Sequence, residues 1–104
     1  FEELYNDLFV KIDEIAERIL TLACAPHYKY SDYLKVSDIV ESESVTDGDK
    51  SVGEILDAFE VLIKKQRHIL AVSGEIEDEG TNALMSDYIR EQEKLVWMYS
   101  AYSK

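Results

Sequence analysis

The stretch FEELYNDLFVKIDEIAERILTLACAP, residues 1–26, decides how the chain reads. Phe1, Leu4, Tyr5, Leu8, Ile12, Ile15, Ala16, Ile19 and Ala23 recur at steps of three and four, which lines one face of an α-helix. Pro26 disfavours helical backbone at Ala25, so the spacing predicts a first helix ending near Cys24. That helix also carries two carboxylates in an unusual place. At about 100° per residue, Asp13 lies about 100° from Ile12 and Glu17 about 140°, with Asn6 between them. Both border the apolar stripe, whereas Glu14, about 200° from Ile12, faces water. Val10 sits beside Glu17, outside the main stripe, so this flank is suited to another surface rather than to bulk water. Three readings stay open for Asp13 and Glu17: solvated helix-edge acids, half of a metal site, or partners for basic groups on another chain.

Outward from this helix, the pattern stays helical. A short element is expected around Ser31–Leu34, with Ser31 as its N-cap. Residues 41–50, ESESVTDGDK, are polar and contain the Asp47-Gly48 turn pair, so they read as a loop. Ser51 and Glu54 form a capping-box pattern ahead of a stripe through Ile55, Phe59, Leu62, Ile69 and Val72. Gly80 is expected to stop that helix, and Thr81 or Asn82 to cap the last one, whose stripe is Leu84, Tyr88, Leu95, Met98 and Tyr102. For Trp97, packing in the core is an adequate role. Repeats, low-complexity tracts and strand-like alternation of useful length are absent. Three long helices and one short one predict an all-α bundle, with the segment from 25 to 50 long enough to cross it end to end. One long crossover is the ferritin-like topology, here short of one long helix.

A chain of 104 residues with 46% apolar content can form one domain with a real core. No apolar run approaches the roughly 20 residues of a membrane span. The opening is amphipathic rather than basic and then apolar, so no secretory leader is expected. Because Phe1 already belongs to the helical pattern, the chain is expected to begin inside a longer protein. Cys24 is the single cysteine, which precludes an intrachain disulfide and fits a reducing cytoplasm. The net charge of −11 repels phosphate backbones and favours cations, and no basic tail offsets it. Direct DNA binding is therefore disfavoured.

An iron-class cation needs oxygen and imidazole donors converging from more than one element. Asp13 and Glu17 can present two oxygens to one ion or bridge two, but neither His27 nor His68 falls at a spacing that pairs with them. Cys24 and His27 make a Cys-x-x-His pair without a second pair, so zinc is disfavoured and an idle or buried thiol is expected. No Glu-x-x-His occurs, which counts against a di-iron centre contained in one subunit. No phosphate-cradling glycine loop or nucleophilic triad is present. Glu77, Asp78 and Glu79 precede the last helix and suit its N-terminal dipole. Repeated around a symmetric shell, the same three acids would form a negative funnel for cations.

The first 26 residues resemble the second helix of Dps proteins, the mini-ferritins of starved or oxidatively stressed bacteria. SDYLKVSDI resembles the short helix in their crossover, and DEGTNALMSDYIREQEKLVWMYSAY their final helix. The combination of DEIAER with REQEKLVWM is specific, and the match covers essentially the whole chain.

The resemblance implies a single ferritin-like domain over residues 1–104, N-terminally incomplete and without its first helix, assembled as a hollow homo-dodecamer. It implies oxidation of Fe(II), usually by hydrogen peroxide, and storage of the ferric mineral. It makes Asp13 and Glu17 iron ligands, catalytic for ferroxidation, in a site shared between subunits. Two histidines from the other subunit complete that site; both lie in the stretch that this chain lacks. Glu77, Asp78 and Glu79 become candidates for an iron-entry pore. In place of the family's frequent Gly-Gly at the helix end stands Ala23-Cys24. The rival from another class is a non-catalytic acidic helical module that assembles with a basic partner.

Overall fold

A computed structural model describes residues 2–27, 29–39 and 48–102, with side chains at 48 and 49 left aside. These residues form four α-helices and no strand: α1 (Glu2–Thr21), α2 (Tyr30–Val36), α3 (Gly48–Glu75) and α4 (Glu79–Tyr102). They fall into two compact units, Phe1–Ser37 and Asp38–Lys104. Phe1 and residues 41–47 of the expected loop lie outside the described residues.

In the first unit, α1 ends as expected, by a Schellman closure. The Cys24 N–H donates to Ile19 O at 3.0 Å and the Ala23 N–H to Leu20 O at 2.9 Å. This closure needs a left-handed residue, and Ala23 supplies it with φ of 64° where glycine would be unstrained. The short helix begins one residue before the predicted Ser31 cap. Lys29 is its N-cap, without a side-chain cap bond, and Ser31 sits in the first turn. The Tyr33 hydroxyl donates to His27 O at 2.9 Å and ties α2 to the segment before it.

The second unit is a helical hairpin. Its core is Val52, Phe59 and Ile63 from α3 against Met85, Tyr88 and Ile89 from α4. Inside it, the buried Gln66 Nε2 donates to Gln92 Oε1 at 2.7 Å. A buried amide pair of this kind is satisfied only when both partners are in register. Helix α3 starts at Gly48, a turn before the predicted capping box, because no proline prevents the helix from running back through residues 49 and 50. Ser51 is thus within the helix rather than at its cap.

Gly80 does not end α3. Its closure is a second Schellman motif: the Asp78 N–H donates to Ser73 O at 2.8 Å and the Glu77 N–H to Gly74 O at 3.3 Å. Glu77 takes the left-handed position with φ of 59°. Asp78 then caps α4 in place of the predicted Thr81 or Asn82, its Oδ1 accepting from the Thr81 N–H at 3.2 Å and Oδ2 from the Thr81 hydroxyl at 2.6 Å. Gly80 is left in the first turn of α4. Asn82 instead crosses the hairpin, donating from Nδ2 to Leu70 O at 2.9 Å.

Burial departs from the predicted stripes in a consistent way. Ile69, Val72, Met98 and Tyr102 are exposed, and Trp97, rather than packing in the core, is 68% exposed. One partner helix covers only part of a broad apolar stripe; the remainder of each stripe stays open.

Candidate functional site

Asp13 and Glu17 lie one turn apart on α1, about 6 Å along its axis, so both carboxylates leave the same flank. Both are exposed. Among the described residues neither carboxylate takes part in a hydrogen bond or ion pair; the Thr21 hydroxyl donates to the Glu17 backbone carbonyl at 2.8 Å.

Their surroundings explain why they are unusual. On α1 the covered side runs through Leu4, Leu8, Lys11 and Ile19, while Tyr5, Phe9, Ile12 and Leu20 are exposed, Phe9 at 55% and Leu20 at 61%. The open half of the apolar stripe adjoins Asp13 and Glu17, and exposed Val10 flanks Glu17 on its other side. Apolar side chains next to two unengaged carboxylates form a face suited to a second surface that brings complementary donors.

The opposite flank of α1 is already satisfied. Lys11, at 6% exposure, donates from Nζ to both oxygens of Asp7, at 3.0 and 2.8 Å. A buried ammonium is tolerated because it is paired in this way. Sequence patterning missed Lys11 as a covered position. The available signal was Asp7 four residues earlier, which shields the charge.

The chemistry of two carboxylates is limited by their number. They supply hard oxygen donors for one divalent cation, or a bridge between two, and leave most of a coordination shell unfilled. Among the described residues no group of three or more histidine, cysteine, aspartate or glutamate side chains comes together in a metal-binding arrangement. His27 is exposed with Nδ1 4.0 Å from Asp32 Oδ2, and Cys24 is exposed rather than buried.

The three acids of the α3–α4 turn have different situations. Glu77 and Glu79 are exposed, whereas the Asp78 carboxylate is part-buried and holds the α4 cap. Sequence reading also missed Gln66 and Gln92, polar residues on the buried faces of α3 and α4. The clue was their spacing, seven residues beyond Phe59 and four beyond Tyr88.

Comparison with known proteins identifies the family of this fold. The Ferritin-like domain family model matches residues 1–104. A Dps crystal structure from Vibrio cholerae O1, described as a member of a broad superfamily of ferritin-like diiron-carboxylate proteins, is 55% identical with a TM-score of 0.98. The match covers 99% of this chain and 65% of that one. The DNA protection during starvation protein of Porphyromonas gingivalis is 42% identical over 103 residues, 99% of this chain and 65% of its own length. DNA protection during starvation protein 2 of Bacillus anthracis is 32% identical, over 98% of this chain and 70% of its own. The chain therefore spans about two thirds of the length of these relatives. With its all-helical architecture and a match over its whole length, the chain belongs to the ferritin-like superfamily and, within it, to the Dps family.

Proposed function

We propose that this chain is part of an iron-storage and detoxification protein that oxidises Fe(II) with hydrogen peroxide and retains the ferric product in a homo-oligomeric shell, a dodecamer in the intact protein. The observation that carries the reading is the exposed, unengaged Asp13–Glu17 pair bordering an open apolar face. The diiron-carboxylate description of the Vibrio relative supports iron as the cargo.

In this reading Asp13 and Glu17 bind Fe(II) from one subunit and imidazoles reach it from another. Carboxylate oxygens stabilise the higher charge of Fe(III) more than that of Fe(II), which favours oxidation at the site. Two Fe(II) ions lose one electron each; peroxide takes both electrons and two protons, its O–O bond breaks, and two waters form. Paired delivery of electrons avoids the hydroxyl radical that a single Fe(II) would release. Glu77 and Glu79 act as the free carboxylates of an iron-entry pore, with Asp78 adding charge while it caps α4.

The test is ferrous loading with peroxide, followed by near-ultraviolet absorbance. The chain alone, lacking imidazole donors at its half-site, should bind divalent ions weakly and unselectively in calorimetry. Extended by the helix that the family resemblance places before residue 1, it should oxidise Fe(II) well above the buffer rate. In that extended chain Asp13→Ala should slow oxidation at least about tenfold without loss of helicity, as for loss of a metal ligand or its support. Unchanged kinetics would remove Asp13 from the site. Oxidation at the buffer rate by the extended chain would favour the acidic assembly module instead.

Protection of DNA, the role named for the Porphyromonas and Bacillus relatives, is proposed here to proceed in the cytoplasm by removing iron and peroxide rather than by contact. A charge of −11 opposes the phosphate backbone. Gel shifts across a salt series should show no complex at ordinary salt. Tight binding that weakens steeply with salt would expose a basic patch and defeat the charge argument.

A further inference from the structure

Between α3 and α4 runs an open groove of about 680 Å³, lined on its apolar side by Leu56, Ile63 and Val96. Its charged rim on α3 has an ordered pattern. Asp57 and Glu60 come first, Lys64 and Arg67 follow, and all four are exposed. At about 100° per residue, all four share one sector of the helix, about 80° wide.

The order of signs is self-complementary. Asp57 and Arg67 are centred on the level of Leu62, and so are Glu60 and Lys64. A second α3 laid antiparallel across this face, about a two-fold axis at that level, brings Asp57 opposite Arg67 of the second copy and Glu60 opposite Lys64. The symmetry repeats both pairings, as an isologous contact requires. Glu93 of α4 already holds Arg67 at 2.8 Å, so the guanidinium is oriented before any partner arrives. A parallel copy in the same register would instead set like charges together.

We propose that this face of α3 is a self-association surface whose occupant is a second copy of the same chain, antiparallel and centred at Leu62. The apolar lining of the groove gives the contact a dry strip, and the charges set its register. Exposed ion pairs are weak singly and screened by salt, so the contact belongs to low ionic strength and high local concentration. It uses none of the α1 carboxylates and stands independently of the iron reading.

The test mixes unlabelled and nitrogen-15-labelled chains at low salt and treats them with a carbodiimide, which joins carboxylates to amines in contact. Mixed-isotope peptides linking Glu60 to Lys64 are expected, falling at least about tenfold when salt shortens the screening length to about 3 Å. Light scattering supplies a second readout. D57K/E60K and K64E/R67E should each lose the low-salt increase in mass that the unaltered chain shows. Mixing the two variants should restore it, because an all-basic face then meets an all-acidic one. Absence of the mixed-isotope link, variants that keep the low-salt increase, or a mixture that fails to regain it would each overturn the proposal.

Discussion

The α3–α4 hairpin and helix α1 are built from similarly apolar stripes, yet they use them differently. In the hairpin, the six buried apolar residues come from α3 and α4, each supplying three. Both helices are joined by a closed turn, and the buried amides satisfy each other. On α1, the buried residue is a lysine, while Tyr5, Phe9, Ile12 and Leu20 remain open. Apolar periodicity thus marks a partly closed core in one region and a largely open face in the other. Large side chains left in water forgo roughly 25 cal/mol per Å² of burial, so the α1 face is a driving force for association.

The sharpest way to break this contrast is to truncate one phenylalanine in each region. Phe59→Ala, in the hairpin core, should lower stability by about 3–5 kcal/mol in urea unfolding. Phe9→Ala, on the open face, should stay within about 1 kcal/mol in the same chain. Equal losses would mean that Phe9 is covered and the two regions are alike. If the proposed additional helix covers this face, extending the chain by it should raise the cost at Phe9 and leave that at Phe59 unchanged.

A smaller effect tests whether the hairpin is polar-satisfied as well as packed. Gln66→Leu leaves the Gln92 amide buried without its partner and should cost about 1–3 kcal/mol. Replacing both glutamines by leucine should recover much of that loss in a double-mutant cycle. Additive losses would show that the pair is not coupled.

The smallest effect sits at the turn. Glu77→Gly should raise the melting temperature by a few degrees, because glycine takes the left-handed position without the penalty of about 1 kcal/mol that a side chain carries there. Ala23→Gly makes the same comparison at the end of α1. A drop on both substitutions would show that greater freedom of the unfolded chain outweighs the relief of strain.

These contrasts also show what was legible from residues alone. The three long helices and the burial of Phe59 and Tyr88 followed from spacing, because a helix presents residues three and four apart to one neighbour. The exposure of Trp97 did not follow, since periodicity defines a stripe but not how much of it a neighbour reaches. Helix ends were displaced where the controlling groups were unexpected: Glu77 rather than a glycine takes the left-handed turn, and Asp78 supplies the cap. The Asp13–Glu17 pair was legible as a pattern, and its open surroundings emerged only with the fold. Gln66 and Gln92 were passed over because polar side chains were assigned outward; their mutual hydrogen bond removes that penalty.

The division between the two regions also bears on synthesis. A ribosome delivers α1 ahead of the hairpin, which is complete only when Tyr102 has emerged, on the order of ten seconds later at typical elongation rates. Throughout that interval the exposed apolar side chains of α1 are present before the hairpin core exists. Its six acidic residues against two basic ones give the waiting segment net negative charge, and like-charged nascent chains on neighbouring ribosomes repel one another. The acidity of α1 therefore acts during synthesis, as a gatekeeper against premature pairing of its own apolar face.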